Sequence, residues 1–393
     1  MNSKIRLLTY HHIPNNGAFL FTYSLMKLLQ QNFAGHDVQV LDYKSSYLAI
    51  YEYLKRYNFF QAIPLFYMRR ALMWDDEIKK NLALDHSLPR FYIQKSLQEY
   101  MANNYDAMII GMDVWSVNHS LNRPGFPNIY WLPEKTKIPK IAYCVSAYDS
   151  DKFMIQKLSR KIKEYLDGFD VIGARDTFTY QLVQEYRTRH DGVVVKLPDP
   201  TFTFEFKDTN VKSKLEQIGV DFSRPVLGLL FYGDKKLSSE IHKHYKDRGY
   251  QIISMSMYNA AADFNVGHLL TPFEWAEAFR LFSFCISDRF HGTIFCILNQ
   301  IPFLSLEKER YLPRDQSKIY DLLADFDLET CYKNPAGKDF KSSSLFAHAD
   351  DIQRTWEREF KPDIQPKVDA QRQKQFEFIN TMKIVLKRQP LGR

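Results

Sequence analysis

The feature of this 393-residue sequence that most constrains its fold is the alternation of short apolar runs with amphipathic segments. Residues 5–10 form an apolar run, residues 18–31 carry apolar side chains at helical spacing, and residues 38–43 form a second run. A strand, a helix and a strand in this order place the two strands parallel in one sheet. The loop before the helix brings Asn16 and Gly17 to its N-terminus, where they suit either a ligand contact or a plain turn.

The alternation runs in two series, which predicts an α/β protein with two Rossmann-like domains facing a cleft. An aromatic and basic segment interrupts the first series, a charged segment separates the two, and a basic helical segment follows the second. The predicted order is an N-terminal domain at 1–204 with a helical insertion at about 45–103, a linker at 205–224, a C-terminal domain at 225–345 and a C-terminal helical tail at 346–393.

The composition limits the classes of function. With 45% apolar and 25% charged residues the chain is typical of globular proteins, and its four cysteines form no C-x-x-C pair, so we expect neither a disulfide framework nor a metal site. The N-terminus lacks a leader pattern, and no apolar run reaches the roughly 18 residues of a membrane span, which predicts a cytoplasmic protein. The net charge of +7 suits anionic substrates. Because the basic residues are dispersed without a recognition motif, we expect no nucleic-acid partner.

One stretch, residues 53–74, combines aromatic side chains with four basic residues. This combination suits a lipid headgroup interface, so peripheral contact with the inner membrane face is one interpretation. The alternative is that the aromatic side chains pack inward as helices covering the first sheet. Pro64 would interrupt a single long amphipathic helix, which favours the alternative.

A second feature lies late in the chain, where a buried strand at 284–286 is followed by Arg289, His291 and Gly292 and then by apolar residues at helical spacing. Polar residues at the carboxyl end of a strand, beside a helix N-terminus, lie where open α/β sheets bind ligands and where anions are favoured. A guanidinium fits a carboxylate or phosphate, an imidazole exchanges protons near neutral pH, and a glycine lets a ligand approach the backbone. The same residues are also compatible with a surface or core-edge position.

Arg175 follows the strand at 171–173 in the same way in the first series. If the two domains face each other, Arg175 and Arg289 converge across the cleft. Two arginines, one histidine and two helix N-termini would suit a small ligand that carries both a phosphate and a carboxylate. Arg175 also fits a surface salt bridge.

At this point five segments, in this order, resemble the polysaccharide pyruvyl transferases. They are Asn16-Gly17-Ala18, G-M-D-V-W at 111–115, G-A-R-D at 173–176, Asp199-Pro200-Thr201, and Arg289-Phe290-His291-Gly292 leading to Gln300-Ile301-Pro302. The resemblance extends from about residue 5 to residue 310. It implies a glycosyltransferase-B-like fold and transfer of the pyruvyl group of phosphoenolpyruvate to a sugar of a glycan or polysaccharide precursor, with formation of a ketal and release of phosphate. No cofactor is implied beyond this donor substrate.

The resemblance also assigns roles to particular residues. Catalysis falls to His291 and Arg289, and substrate binding falls to Arg175, Gly292, Asn16, Gly17, Asp113 and Asp199. Two segments depart from the family pattern, with Met112 in place of a serine and with Gly173 and Asp176 in place of a serine and a glutamate. Asp199 also fits a turn before Pro-Thr, and Asp113 also fits a helix cap. The implied partners are phosphoenolpyruvate and a sugar or glycan acceptor, either free or lipid-linked.

Two other functions remain open on the sequence. A nucleotide-sugar glycosyltransferase of the same fold often carries an acidic residue in the corresponding helix to hold the ribose, and the helix at 293–300 has none. A non-catalytic polysaccharide-assembly protein could have kept the fold, which the altered motifs favour and the intact Arg-x-His-Gly disfavours.

Overall fold

The structure is a computed structural model, which describes residues 3–44, 64–88, 94–118, 125–132, 138–231, 235–307, 314–335 and 341–388. The strands of the first half are β1 (Lys4–Leu8), β2 (Asp37–Leu41), β3 (Leu84–Asp85), β4 (Ala107–Met112), β5 (Lys140–Val145), β6 (Val171–Ala174) and β7 (Val193–Lys196). The strands of the second half are β8 (Val226–Leu230), β9 (Gln251–Ser254), β10 (Phe264–Asn265), β11 (Phe284–Ser287), β12 (Phe303–Leu306) and β13 (Tyr332–Lys333).

The helices surround these strands. In chain order they are α1 (Asn16–Asn32), α2 (Pro64–Asn81), α3 (Gln94–Asn104), α4 (Lys152–Asp167), α5 (Thr177–Tyr186), α6 (Val211–Gln217), α7 (Lys235–Lys246), α8 (Pro272–Ala278), α9 (Phe290–Leu298), α10 (Lys318–Ala324), α11 (Ser342–Glu359) and α12 (Lys361–Arg388). Within the described ranges, none of the helices is long and apolar enough to cross a membrane.

The strands form two sheets in which the recorded pairings are all parallel. The first sheet has the order β3-β2-β1-β4-β5-β6-β7 and the second has the order β10-β9-β8-β11-β12-β13. In each sheet the strand order reverses beside the first strand, between β1 and β4 and between β8 and β11. Ligands of open α/β sheets bind outside the carboxyl ends of the strands at such reversals. The predicted α/β fold with two Rossmann-like sheets is therefore confirmed.

Strands β4 and β5 are buried along their whole length, because helices cover both faces of a parallel sheet. This is why they appear in the sequence as continuous apolar runs. The predicted start of α8 is confirmed in detail: Thr271 and Glu274 form a reciprocal capping box, and Pro272 occupies the first helical position.

The differences from the sequence predictions are local. The predicted linker contains the short helix α6, and β3, β10 and β13 are two-residue strands that carry too little pattern to be predicted. Helix α9 begins at Phe290, so that His291 and Gly292 belong to its first turn. The domain boundaries themselves stay a prediction.

The predicted C-terminal helical tail consists of two helices that contact different sheets. In α11, the indole nitrogen of Trp356 donates to the carbonyl of Gln300 at 3.0 Å, beside the second sheet. In α12, Phe378 packs edge-on against Tyr143 of β5, with ring centroids 5.2 Å apart, in the first sheet. After α11, which contacts the second sheet, α12 therefore returns to the first sheet.

The stretch at 53–74 lies partly outside the described residues, because residues 45–63 are not among them. In the described part, Phe66, Arg70 and Trp74 of α2 are buried, whereas Leu65 and Leu72 are about half exposed. Arg70 is only 7% exposed, so the described part agrees with the alternative in which the aromatic side chains pack inward. Peripheral membrane contact by the rest of the stretch stays a prediction.

Candidate functional site

A cavity of about 300 Å³ lies where the strand order of both sheets reverses. Its wall includes the loop after β1 and the start of α1, the end of β4, the end of β8 and the start of α9. Six of the eight residues predicted from the sequence line it, namely Asn16, Gly17, Asp113, Arg289, His291 and Gly292. The other two, Arg175 and Asp199, are buried directly behind this wall. Their predicted roles in binding and catalysis remain predictions.

His291 lies at the contact between the two halves of the protein. A Cβ atom at Gly17 would lie 2.2 Å from both Cγ and Nδ1 of the imidazole, so the ring packs directly on the backbone of α1. Only glycine leaves room for this contact. On the other side, Nε2 of His291 lies 3.4 Å from Oδ2 of Asp199. The first turns of α1 and α9 thus enclose the imidazole, with only 14% of its side chain exposed.

Asp199 faces His291 from the loop after β7. Its Oδ1 accepts hydrogen bonds from the backbone and the hydroxyl of Thr201, at 3.0 and 2.7 Å, which fixes the carboxylate. The expectation that Asp199 shapes a turn before Pro200 is confirmed, since it caps the short 3-10 helix Pro200–Thr203. Burial disfavours its charge, but His291, Arg175 and the hydroxyl of Thr201 outweigh burial and lower the pKa of Asp199 to about 2.

Burial lowers the pKa of His291 below 6.5, and the positive charges of Arg175 and Lys318 act in the same direction. The carboxylate of Asp199 opposes them and raises it. The unliganded imidazole is therefore mostly neutral at pH 7. If Nε2–H points to Asp199, the lone pair on Nδ1 is the one left for a reacting group.

Arg175 forms the link behind the wall. Its Nη1 lies 3.5 Å from Oδ2 of Asp199, and Nη2 is ion-paired with Asp113. The guanidinium also lies over the ring of Phe290, 4.5 Å from its centroid. With 1% of its side chain exposed, Arg175 is not the surface salt-bridge partner that the sequence left open. It connects the carboxylate beside His291 to a carboxylate in the cavity wall.

Asp113 contacts both halves of the protein. Besides Arg175, it accepts a hydrogen bond from Nζ of Lys318 at 2.7 Å, and Lys318 begins α10 in the second half. The preceding Met112 has φ of 87°, an unfavourable angle for a residue with a side chain, which turns the chain out of β4. Asp113 caps none of the described helices, so its alternative role as a cap is wrong.

Arg289 occupies the N-cap position of α9, and no side chain there caps the helix among the residues that the structure describes. Its Nε lies 2.9 Å from Oδ1 of the buried Asp288, and 36% of its side chain is exposed in the cavity wall. The hydroxyl of Ser287 accepts from the backbone N–H of Arg289 at 3.0 Å. Gly292 permits this arrangement, because a Cβ atom there would lie 2.3 Å from the same hydroxyl. The first turn of α9 therefore faces the cavity without an acidic residue.

At the start of α1, the residue that caps the helix and the residue that lines the cavity are neighbours in the sequence. Asn15, not Asn16, caps the helix, and its Oδ1 accepts from the backbone of Ala18 at 3.3 Å. The side chain of Asn16 lines the cavity, and its buried Oδ1 has no hydrogen-bond partner in the described part of the chain. A buried polar atom of this kind is normally satisfied by a ligand or water.

Sequence reasoning missed two cations in the cavity wall. Lys318 lies 3.8 Å from the ring centroid of Tyr148 and contacts Asp113 as described above. Arg70 donates from Nη2 to the carbonyl of Pro14 at 2.8 Å and from Nη1 to the sulfur of Met257 at 3.2 Å. Neither residue belongs to a recognisable motif, because each reaches the cavity from a helix that is distant in sequence.

Two residues singled out in the sequence are structural. Asp176 caps α5 through Oδ1, which accepts from the backbone of Thr179 at 2.8 Å, and its Oδ2 accepts from the hydroxyl of Ser146. Trp115 is fully buried and stacks on Trp131, with ring centroids 4.8 Å apart. The departures at 173–176 therefore concern helix capping and packing.

A comparison with family models now decides the family. The model described as polysaccharide pyruvyl transferase matches residues 15–308 of the chain. The chain belongs to the polysaccharide pyruvyl transferase family. The protein is accordingly a transferase. The match includes every residue of the predicted site and ends before α10.

Solved structures of low identity share the fold. The UDP-N-acetylglucosamine 2-epimerase of Rickettsia bellii has a TM-score of 0.56 at 11% identity, covering 98% of this chain and 97% of that one. The UDP-GlcNAc 2-epimerase of Neisseria meningitidis, solved bound to UDP-GlcNAc, has a TM-score of 0.52 at 11% identity, covering 96% and 100%. These similarities show a glycosyltransferase-B-like fold. The search of curated proteins finds no match.

Proposed function

We propose that this pyruvyl transferase moves the pyruvyl group of phosphoenolpyruvate onto two hydroxyl groups of a sugar in a glycan or polysaccharide precursor. The product is a cyclic ketal, and phosphate is released. The observation that carries the proposal is the histidine–carboxylate pair of His291 and Asp199 beside the uncapped N-terminus of α9, in a cavity that also contains cationic side chains.

The cavity contains groups that can bind an anionic donor. Phosphoenolpyruvate carries about three negative charges, which the protein must offset when the donor leaves water. Arg289, Lys318 and Arg70 line the cavity together with three carboxylates, those of Asp113, Asp288 and Glu307. The N-terminus of α9 adds backbone N–H groups and a positive dipole end to the cations. In this proposal the fork of Arg289 binds one anionic group of the donor. Arg175 acts from behind the wall, because it fixes Asp199 and Asp113.

The proposed chemistry has two steps, both of which balance. First, a sugar hydroxyl oxygen bonds to C2 of phosphoenolpyruvate, C3 gains a proton to become a methyl group, and the hydroxyl loses a proton. Second, the bond between C2 and the phosphate oxygen breaks, phosphate leaves with the electron pair, and a second hydroxyl bonds to C2 and loses its proton.

His291 is the group that we assign to the proton transfers of the first step. As imidazolium it donates to C3, and the hydroxyl proton restores it, so one side chain serves both transfers. The anionic donor raises the pKa of the ring when it binds, which offsets the lowering by burial. Asp199 stabilises the imidazolium and fixes its orientation. The donor is a substrate, and the proposed reaction uses no cofactor.

A nucleotide sugar is the second candidate donor, favoured by the likeness to an epimerase solved with UDP-GlcNAc. Against it, α9 contains no Asp or Glu to hold a ribose.

The test uses the full-length protein, ¹³C2-labelled phosphoenolpyruvate and a panel of glycans with neighbouring free hydroxyls, both free and lipid-linked. We expect phosphate release that depends on the glycan, and a labelled carbon resonance in the ketal range in the product. In parallel, calorimetric titration should show binding of phosphoenolpyruvate but not of UDP-GlcNAc. Binding of the nucleotide sugar without binding of phosphoenolpyruvate would overturn the proposal in favour of the second candidate.

A further inference from the structure

The loop that carries Asp199 is contacted from outside its own sheet by the C-terminal helix α12. Nε2 of Gln375 donates to the carbonyl of Pro198, immediately before Asp199. Nε of Arg372 donates to the carbonyl of Phe202, three residues after Asp199, at 2.8 Å. Two side chains one helical turn apart therefore hold the loop on both sides of the carboxylate.

Gln375 is itself fixed. It is fully buried, and its Oε1 accepts a hydrogen bond from the hydroxyl of Tyr143 in β5. Burial raises the pKa of Tyr143 well above 10, so this hydroxyl remains a donor. Since the carbonyl of Pro198 only accepts, the amide of Gln375 has one orientation that satisfies both neighbours. The side chain thus connects the loop to the centre of the first sheet.

The hydrogen bonds within the loop lie on the C-terminal side of Pro198: the carboxylate of Asp199 accepts from Thr201, and the carbonyl of Pro200 accepts from the hydroxyl of Thr203 at 2.8 Å. Pro198 and Pro200 have no backbone N–H, so neither can donate to a neighbouring strand. The carbonyl of Pro200 is bonded within the loop, whereas the carbonyl of Pro198 accepts from Gln375 of α12. Asp199 and His291 are 3.4 Å apart, and their interaction energy is sensitive to any shift of the loop, because the energy of two charges varies inversely with their distance.

We propose that Gln375 and Arg372 are positioning residues for the reaction, which act by holding Asp199 against His291. The catalytic meaning of this proposal rests on the function proposed above, but its structural claim does not. Helix α12 lies outside residues 15–308, the part of the chain that the family model matches. Helix α12 would therefore influence the pKa of the His291 imidazole through the position of Asp199.

The sign of the expected effect follows from the groups that face His291. Asp199 raises the pKa of the imidazole, while Arg175 and Lys318 lower it. If the loop loses its contact with α12, Asp199 moves away and the two cations remain. The pKa of His291 should then fall.

The experiment is an NMR titration of the full-length protein with ¹³C-labelled histidine, in which the His291 signal is assigned by its loss in His291→Gln. Gln375→Met keeps the volume of the side chain and removes both hydrogen bonds, and we expect the pKa of His291 to fall. Gln373→Met is the matched control, because Gln373 is exposed on the same helix and its Nε2 donates to Glu377 of that helix. It should leave the pKa unchanged.

Two further variants keep the test decisive if Gln375→Met folds poorly. Tyr143→Phe removes the support of Gln375 but keeps its bond to Pro198, so it should destabilise the protein with a smaller change in the pKa. Arg372→Ala, at a partly exposed position, should fold and lower the pKa by a smaller amount than Gln375→Met. An unchanged pKa in folded Gln375→Met, or in Arg372→Ala, would overturn the proposal. A lowered pKa in a protein that transfers no pyruvyl group would instead count against the proposed function alone.

Discussion

Each sheet has a strand that is followed by an arginine and then by a helix. The two junctions differ in how the helix N-terminus is satisfied. At the junction of β6 and α5, Asp176 caps the helix and Arg175 is buried between two carboxylates. At the junction of β11 and α9, no side chain caps the helix in the described part of the chain, and Arg289 is about one third exposed beside a cavity. We call the first the closed junction, because protein groups satisfy its helix N-terminus. We call the second the open junction, because its helix N-terminus is left to a ligand.

The comparison shows that an arginine after a strand does not by itself indicate whether the side chain binds a ligand or an internal carboxylate. The sequence around Arg175 and that around Arg289 predicted the same function, namely a contact with an anion. The residue that follows distinguishes them, because Asp176 supplies a cap that neutralises the helix end and Phe290 does not. The following substitutions test this contrast, from the largest expected effect to the smallest.

Arg175→Met should mainly affect stability. It removes the guanidinium from the buried carboxylate of Asp199 and from the partly exposed carboxylate of Asp113, and breaking a buried pair in this way costs about 3–5 kcal/mol. Urea unfolding monitored by circular dichroism measures the loss. Arg160→Met is the control, since 94% of that arginine side chain is exposed. Equal unfolding free energies for the two variants would place Arg175 outside the structural network.

His291→Ala should mainly affect activity. We expect turnover to fall by a factor of ~10² or more, as for the loss of a general acid–base group, while the protein still folds. Glycan-dependent phosphate release provides the rate, and His190→Ala, at an exposed position, is the control. Wild-type turnover by His291→Ala would remove the histidine from the reaction.

Asp199 contacts Arg175 at one junction and His291 at the other, and it should make the free energy of unfolding depend on pH in the acidic range. Its pKa of about 2 in the folded protein lies below the ordinary 3.8, so the ionised form stabilises the fold above pH 4 and this contribution is lost as the pH falls toward 2. The shift corresponds to about 2 kcal/mol. The difference in unfolding free energy between wild type and Asp199→Asn should therefore narrow between pH 5 and pH 2.5. A constant difference would mean that the carboxylate is not held in its ionised form.

Arg289→Lys separates binding from stability at the open junction. An ammonium cannot form the bidentate fork, so the affinity for phosphoenolpyruvate should fall about tenfold. Because the side chain is partly exposed, the unfolding free energy should change by less than about 0.5 kcal/mol. Calorimetric titration and urea unfolding of the same preparation measure both quantities. Unaltered affinity would exclude Arg289 as the anion-binding group.

Asp176→Asn should have the smallest effect. Asparagine caps a helix about as well as aspartate, and the hydroxyl of Ser146 can turn to accept from the amide nitrogen that replaces Oδ2. The stability should therefore change by less than about 0.5 kcal/mol and turnover by less than about twofold. The assays used for His291→Ala and Arg175→Met apply unchanged. A large loss of turnover would show that the closed junction is open to substrate after all.

The sequence predicted most of the fold because parallel strands with both faces covered are apolar throughout, as β4 and β5 are. It also predicted six residues of the cavity wall, because loops after the strands of a Rossmann-like sheet meet at the place where the strand order reverses. Their roles remain predictions.

What the sequence did not reveal depends on contacts between distant segments. Lys318 and Arg70 reach the cavity from helices with no motif, and the exposure of Arg175 is set by Asp113 and Phe290, which are far from it in the chain. The contact of α12 with the loop of Asp199 was also hidden, since Gln375 is one of several polar residues on a long helix and only its bonds to Tyr143 and Pro198 distinguish it.

The contact between Gly17 and His291 has a consequence for the way this protein can be altered. Glycine is the less favourable residue in a helix, by about 1 kcal/mol relative to alanine in an interior position and less near an end. Yet an added methyl group would occupy the space of the imidazole, 2.2 Å from its atoms. Glycine at position 17 therefore lowers the helix propensity of α1 but leaves the space that the imidazole of His291 occupies. A thermostabilised version of this protein therefore has to gain its stability at other positions.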